Sequence, residues 1–146
     1  MKILVAVSGT HLEDADPIAA AAAFPWPAGS EFRVLSVAQM VQVMAPGPAP
    51  ALPDMVTQMS VDDTARQFAL DAAERLRHLG YPVEAVAMEG APEAVIVEYA
   101  AQWAADLIVL GSRDRSRVER FLLGSVSQSV VAHAPCSLLV VKHSLQ

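Results

Sequence analysis

Five short runs rich in Val, Ile and Leu recur along this chain, and longer segments with helical periodicity separate them. The runs are KILVAV (Lys2 to Val7), FRVLSV (Phe32 to Val37), VEAVAM (Val83 to Met88), DLIVL (Asp106 to Leu110) and SLLVV (Ser137 to Val141). Such alternation predicts βαβ units, and therefore a mainly parallel sheet with helices on its faces. The first, fourth and fifth runs are almost continuously apolar, as strands covered on both faces are, whereas the third alternates and belongs near an edge. Hydrophobic residues make up 53% of the chain but aromatics only 5%. The core is thus one of Ala, Val and Leu, which lets helices approach a sheet closely. At 146 residues the chain is the size of one domain, residues 1 to 146, with enough apolar surface to fold without disulfides or metal.

Four helical segments fill the gaps. The first, near Asp14 to Phe24, opens with acids that suit a helix N-terminus and stops at Pro25. The second repeats Ala65, Phe68, Ala69, Ala72, Leu76 and Leu79 at intervals of three or four, with Asp62/Arg66 and Asp71/Arg75 as i,i+4 pairs opposite and Gly80 as the stop. The third opens on Pro92 and Glu93 and turns Ile96, Tyr99, Ala100 and Trp103 to one side. The last carries Val126 and Val130 and runs to about His133. Before the second helix, Ala38 to Pro53 holds APGPAPALP, whose prolines lack the donor a ladder needs. It reads as a surface connection or as a flap over the mouth of the sheet, with Met40, Met44, Met55 and Met59 as adaptable apolar cover or core filler.

A net charge of −6 gives no long-range attraction for nucleic acid or anionic lipid. The single cysteine, Cys136, cannot form an intrachain disulfide and sits at the start of an apolar strand, which fits a reducing cytoplasm. MKILVAVSGT is too short an apolar run for a signal peptide, and no segment approaches the roughly 18 apolar residues that span a bilayer. There is no GxxxxGK[ST] and no GxGxxG, and no Ser-His-Asp or Cys-His grouping can be assembled. His11, Glu13, Asp14 and Asp16 cluster after the first strand, where acids ordinarily serve the helix dipole rather than a metal. His78 and His133 fall near helix C-termini, and Trp26, between two prolines, reads as a packing anchor.

In parallel sheets ligands bind beyond the carboxyl ends of the strands, where strand order reverses. The informative loop there is GSRDRSRVERFLLGS, Gly111 to Ser125, directly after DLIVL. Gly111 permits close backbone approach, and Gly124-Ser125 can open the last helix, whose unpaired amides favour an anion such as phosphate. Ser125 and Gln128 also read as a capping box. The two readings overlap, since amides of the first turn can still face a ligand.

This spacing resembles that of the universal stress proteins, whose nucleotide-binding members carry glycine, two residues, glycine, nine residues, then Gly-Ser or Gly-Thr. Here Gly111 is followed by Ser112 and Arg113, then Asp114 in place of the second glycine, then nine residues before Gly124-Ser125. The resemblance extends over essentially the whole chain: KILVAVSGT, the long loop, LIVLGSRDRS, FLLGSVSQSVV and HAPCSLLVVK. It implies a three-layer α/β/α sandwich with a five-stranded parallel sheet in the order 3-2-1-4-5, of the adenine nucleotide alpha hydrolase-like kind. It implies further a cytoplasmic homodimer pairing through SLLVV, a stress-response role, and ATP or AMP as ligand with or without Mg²⁺. By the same resemblance Val37 lies against the base, Gly111 and Gly124 against the phosphates, and Ser125, Val126 and Ser127 bind phosphate through hydroxyl and backbone.

Two positions depart from that pattern. Ser8 stands where those members usually carry an aspartate for the adenosine end, and it lacks a carboxylate's charge-assisted strength. Asp114 brings a negative charge toward the phosphates. At about 5 Å this costs roughly 3 kcal/mol at an effective dielectric of about 20, and roughly 1 in a water-filled mouth. Arg113, Arg115 or Arg117 turned inward, or a divalent cation, reverses that sign; alternatively Asp114 pairs with a neighbouring arginine on a solvated loop. Three functions stay open: adenine-nucleotide binding and signalling, a dimeric interaction module of the same fold that binds no nucleotide, and a weak ATP hydrolase, for which only Asp114 or His11 offers itself as a base. No catalytic residue and no metal ligand is assigned.

Overall fold

KILVAV forms the strand β1 (Lys2–Val7), and from Ile3 to Val7 every residue is buried, so both faces of this strand are covered. The computed structural model describes residues 1–7, 17–39, 55–112 and 124–142, with side chains from residue 63 onward in the helix that begins at Met55. The elements in order are β1, α1 (Pro17–Ala23), β2 (Glu31–Ala38), α2 (Met55–Arg77), β3 (Val83–Glu89), α3 (Pro92–Trp103), β4 (Leu107–Gly111), α4 (Ser125–His133) and β5 (Ser137–Val141). All five strands run parallel in the order β3-β2-β1-β4-β5, as the resemblance implies.

Because successive side chains of a strand alternate between faces, the sheet feeds two separate cores. Ile3, Val5, Val7, Phe32, Val34, Leu107 and Val109 pack against Ile18 and Ala21 of α1 and Ala72, Ala73 and Leu76 of α2. Leu4, Ala6, Leu35, Ile108 and Leu110 pack against Ile96 and Ala100 of α3 and Val130 of α4. The helices meet the sheet through alanines, which accounts for a core of so few aromatics. Each fully buried Val, Leu or Ile contributes roughly 1.5–3 kcal/mol.

The element boundaries differ from the sequence reading in small ways that have local causes. β2 and β3 each extend to one residue beyond their expected ends. β4 begins at Leu107 because the Asp106 carboxylate accepts the Lys2 amide at 2.7 Å while the Asp106 amide donates to Lys2 O at 2.8 Å. Leu79 is not on the apolar face of α2: the helix stops at Arg77, and Leu79 is exposed in a turn that Gly80 closes at φ +86°. β5 is only half-buried rather than covered on both faces, since it ends the sheet. Trp26 is the expected anchor, donating to Ala21 O at 2.6 Å and meeting the ring of Phe32 edge-on. The acids expected to open α1, the Asp62/Arg66 pair, the Ala38 to Pro53 loop beyond Gln39 and the four methionines' side chains lie outside the described residues.

A second polar cluster ties the opposite pole of the sheet. The Arg33 guanidinium lies 4.6 Å from the Trp103 ring centroid, donates to Tyr99 Oη at 2.8 Å and pairs with Glu84 at 2.9 Å, joining β2, β3 and α3. Nothing in the local sequence signals this network.

Candidate functional site

The chain climbs from β1 outward to β2 and β3 along one face, then crosses back to β4 and β5 along the other, so strand order reverses between β1 and β4. Their carboxyl ends are adjacent, with Ala6 paired to Leu110. A crevice above this point is where a doubly wound sheet binds ligands. The walls available here are the end of β4, the end of β2 and the N-terminus of α4.

Gly111, half-buried, is the last residue of β4. The buried Ser112 continues the ladder by donating its amide to Val141 O at 2.8 Å, which holds the exit of β4 in plane with β5. The N-terminus of α4 is brought to the same place by one side chain. Ser127, buried at 3% exposure, donates its hydroxyl to Gly111 O at 3.1 Å. Two of the expected phosphate positions, sixteen residues apart, are thereby bonded to each other.

Gly124 holds the N-cap position with φ −58° and ψ 160° and no side-chain cap, and Ser125 is the first helical residue. The capping box read from Ser125 and Gln128 is therefore not the arrangement. A box needs its serine at the N-cap, and one position further in the hydroxyl no longer faces the first-turn amides. The Gln128 amide donates to Gly124 O at 2.9 Å, so the amides of Ser125, Val126 and Ser127 precede the first helical bond and have no acceptor within the helix. Together with the positive end of the helix dipole they form a cradle suited to an anion, and Gly124 adds no side chain of its own to it. The cradle fits a phosphate through its amides. The Ser127 hydroxyl, already given to Gly111, is not a second donor to it.

Val37, half-buried, sits one residue from the end of β2 and packs with the core on the α3 and α4 side. Its neighbour Ser36, opposite Val7, is fully buried, and among the described residues its hydroxyl has no hydrogen-bond partner. Sequence reasoning passed over Ser36 because a serine inside a strand carries no pattern of its own. Ser8, Arg113 and Asp114 lie outside the described residues, as do His11 and the acids near it. Among the described residues no group of three or more His, Cys, Asp or Glu is placed to hold a metal.

The other chemistry-bearing groups are distant from the crossover. Cys136 precedes β5 at the opposite pole; burial pushes its thiol pKa up, and the Asp106 carboxylate adds to the rise, which disfavours the thiolate. His133, the last residue of α4, meets Ser129 O at 2.9 Å through Nδ1, and His78 lies 3.8 Å from Glu74. Both are structural contacts at helix ends. No helix among the described residues is long and apolar enough to cross a membrane.

Comparison with known proteins agrees with this fold. The sequence profile of the Universal stress protein family matches residues 1–142. A universal stress protein of Methanocaldococcus jannaschii is 31% identical over 106 residues, covering 70% of this chain and 62% of that protein. The chain thus spans less than two thirds of that relative's length. Among solved structures, the universal stress protein UspA from Lactobacillus plantarum has a TM-score of 0.73 at 25% identity, covering 97% of each chain. The universal stress protein from Archaeoglobus fulgidus in complex with dAMP has a TM-score of 0.64 at 22% identity, covering 97% of this chain and 98% of that one. With the profile matching nearly its full length and the sheet order that these folds share, the chain belongs to the universal stress protein family.

Proposed function

We propose that this protein is a stress-response module that binds an adenine nucleotide, AMP or ATP, above the β1–β4 crossover. The observation that carries the reading is the row of amides at Ser125, Val126 and Ser127, which have no acceptor within α4 and are held against the end of β4 by the Ser127–Gly111 bond. Gly111 and Gly124 would leave room for the phosphates, Val37 would flank the base, and Ser8, Arg113 and Asp114 would complete the rim. Family members solved with cAMP, dAMP and AMP lend support to the ligand class. Mg²⁺ belongs to this reading only through Asp114. The protein would act in the cytoplasm as a homodimer pairing through β5, whose Leu138 to Val141 are apolar and only half-buried at the sheet's edge.

A thermal-shift titration with AMP, ATP and ATP plus Mg²⁺ tests it. At about 100 times Kd a ligand stabilises by roughly 2.7 kcal/mol, which raises Tm by several degrees in a domain of this size. Asp114→Gly should enhance the shift. No shift at millimolar ligand in either protein would remove the reading. It would leave the alternative that the committed Ser127 hydroxyl favours: an interaction module that keeps the fold without a nucleotide.

A further inference from the structure

The outer edge of β3 is open in a particular way. The Phe32 amide donates to Pro82 O at 3.1 Å and the Gly90 amide donates to Ala38 O at 3.0 Å, so the even-numbered residues of this strand turn their backbone groups toward β2. The odd-numbered ones, Val83, Ala85, Ala87 and Glu89, turn theirs away from the sheet. Among the described residues only the first is covered: Arg77 donates to Val83 O from Nε at 3.2 Å and from Nη2 at 3.0 Å. Among the described residues Ala85, Ala87 and Glu89 have no ladder partner on that side. Beside them runs a groove of about 440 Å³ between β3 and α2, floored by Ala65, Ala69, Ala85 and Ala87. Leu70 and Met88 also line it and are 42% and 40% exposed, which adds apolar surface to its rim.

We infer that this edge receives an extended peptide from another protein, added as a sixth strand with small apolar side chains seated in the alanine-floored groove and a basic residue beside Glu89. Unpaired backbone groups supply affinity in such strand addition, and the adjoining pocket supplies selectivity for alternate side chains. The charges at the upper end of the groove are Asp63 and Glu89 against Arg66, so that end favours a cation. A lower limit is set by Arg77, which closes the edge at Val83. The same limit argues against a second copy of this chain. Three open residues on each strand would bury roughly a few hundred Å², well under the ~1,200 Å² of a stable interface, while a short peptide needs no more.

The test is an NMR titration of the intact chain with a blocked hexapeptide, acetyl-Lys-Thr-Val-Thr-Val-Thr-amide, and with the same peptide carrying Glu in place of Lys. Shifts should concentrate at Ala85, Ala87, Glu89 and the facing turns of α2, with the lysine peptide binding at least fivefold tighter. Ala87→Pro removes an outward donor but no bond to β2, and should abolish the response while Tm stays within a few degrees. Glu89→Lys should invert the preference between the two peptides, and decides the matter alone if the proline variant does not fold. Unperturbed 85–89 amides at millimolar peptide, equal binding of both peptides, or full binding by Ala87→Pro would overturn the proposal. So would a dimer in sedimentation that Ala87→Pro dissolves, which would assign the edge to a second copy.

Discussion

The Ser127 hydroxyl joins the two halves of the candidate site, and its energetic weight can be measured. Removing it in Ser127→Ala leaves the Gly111 carbonyl facing a methyl group, and we expect a loss of ~1 kcal/mol in urea unfolding. Nucleotide affinity should fall by no more than a few fold, because the cradle is made of amides that the substitution retains. Ser36 presents the opposite case. A fully buried hydroxyl without a partner costs about 1–3 kcal/mol, so Ser36→Ala should raise stability by ~1 kcal/mol; a decrease would show that the hydroxyl is bonded. Cys136 offers a pH-dependent readout. Its pKa is raised in the folded protein, by burial first and by Asp106 second, so the neutral thiol favours folding. That contribution is complete below the unfolded-state pKa and disappears as pH rises through the folded one. Alkylation by iodoacetamide should therefore need a higher pH in the native protein than in urea, and Cys136→Ala should flatten the alkaline fall in stability.

At the scale of single elements, most helix and strand positions follow from periodicity, and the ends follow from individual contacts. The α3 helix opens on Pro92, whose missing donor costs nothing at N1, and closes on Ala104 in the left-handed region at φ 55°. A Cβ there costs roughly 1–2 kcal/mol, while glycine adds roughly 0.5–1 kcal/mol of unfolded-state entropy. The first outweighs the second, so Ala104→Gly should stabilise by ~0.5–1 kcal/mol in thermal or urea denaturation. Gly90 is the reverse: its φ of +142° and a distance of 3.0 Å from an added Cβ to Val95 Cγ2 make alanine costly there. The start of β4 lies one residue beyond that of the apolar run DLIVL, in which Asp106 looks like part of the strand. Its carboxylate serves the Lys2 amide instead, a contact spanning 104 residues that no window of sequence contains.

Across the whole molecule, stability should be graded from the centre of the sheet outward. β1 lies between two strands and beneath both cores, so its amides should exchange slowest, while the amides of Ala85 and Ala87 at the open edge exchange fastest. If β5 pairs with a second copy, the outward amides of Leu138 and Val140 should gain protection as protein concentration rises; protection independent of concentration would count against that dimer. Apolar runs and 3.6-residue periodicity were enough to identify five strands and four helices, because covering a strand on both faces demands continuous apolar residues and a surface helix demands a stripe. The glycine spacing carried the family and, with it, the strand order. What the local pattern could not carry is the set of contacts between distant segments: Ser127 on Gly111, sixteen positions away, Arg33 on Tyr99, 66 positions away, and the direction in which each edge strand leaves its backbone unpaired. These depend on which surfaces packing brings face to face, and that is settled only once the whole sheet and its two helical layers have closed on one another.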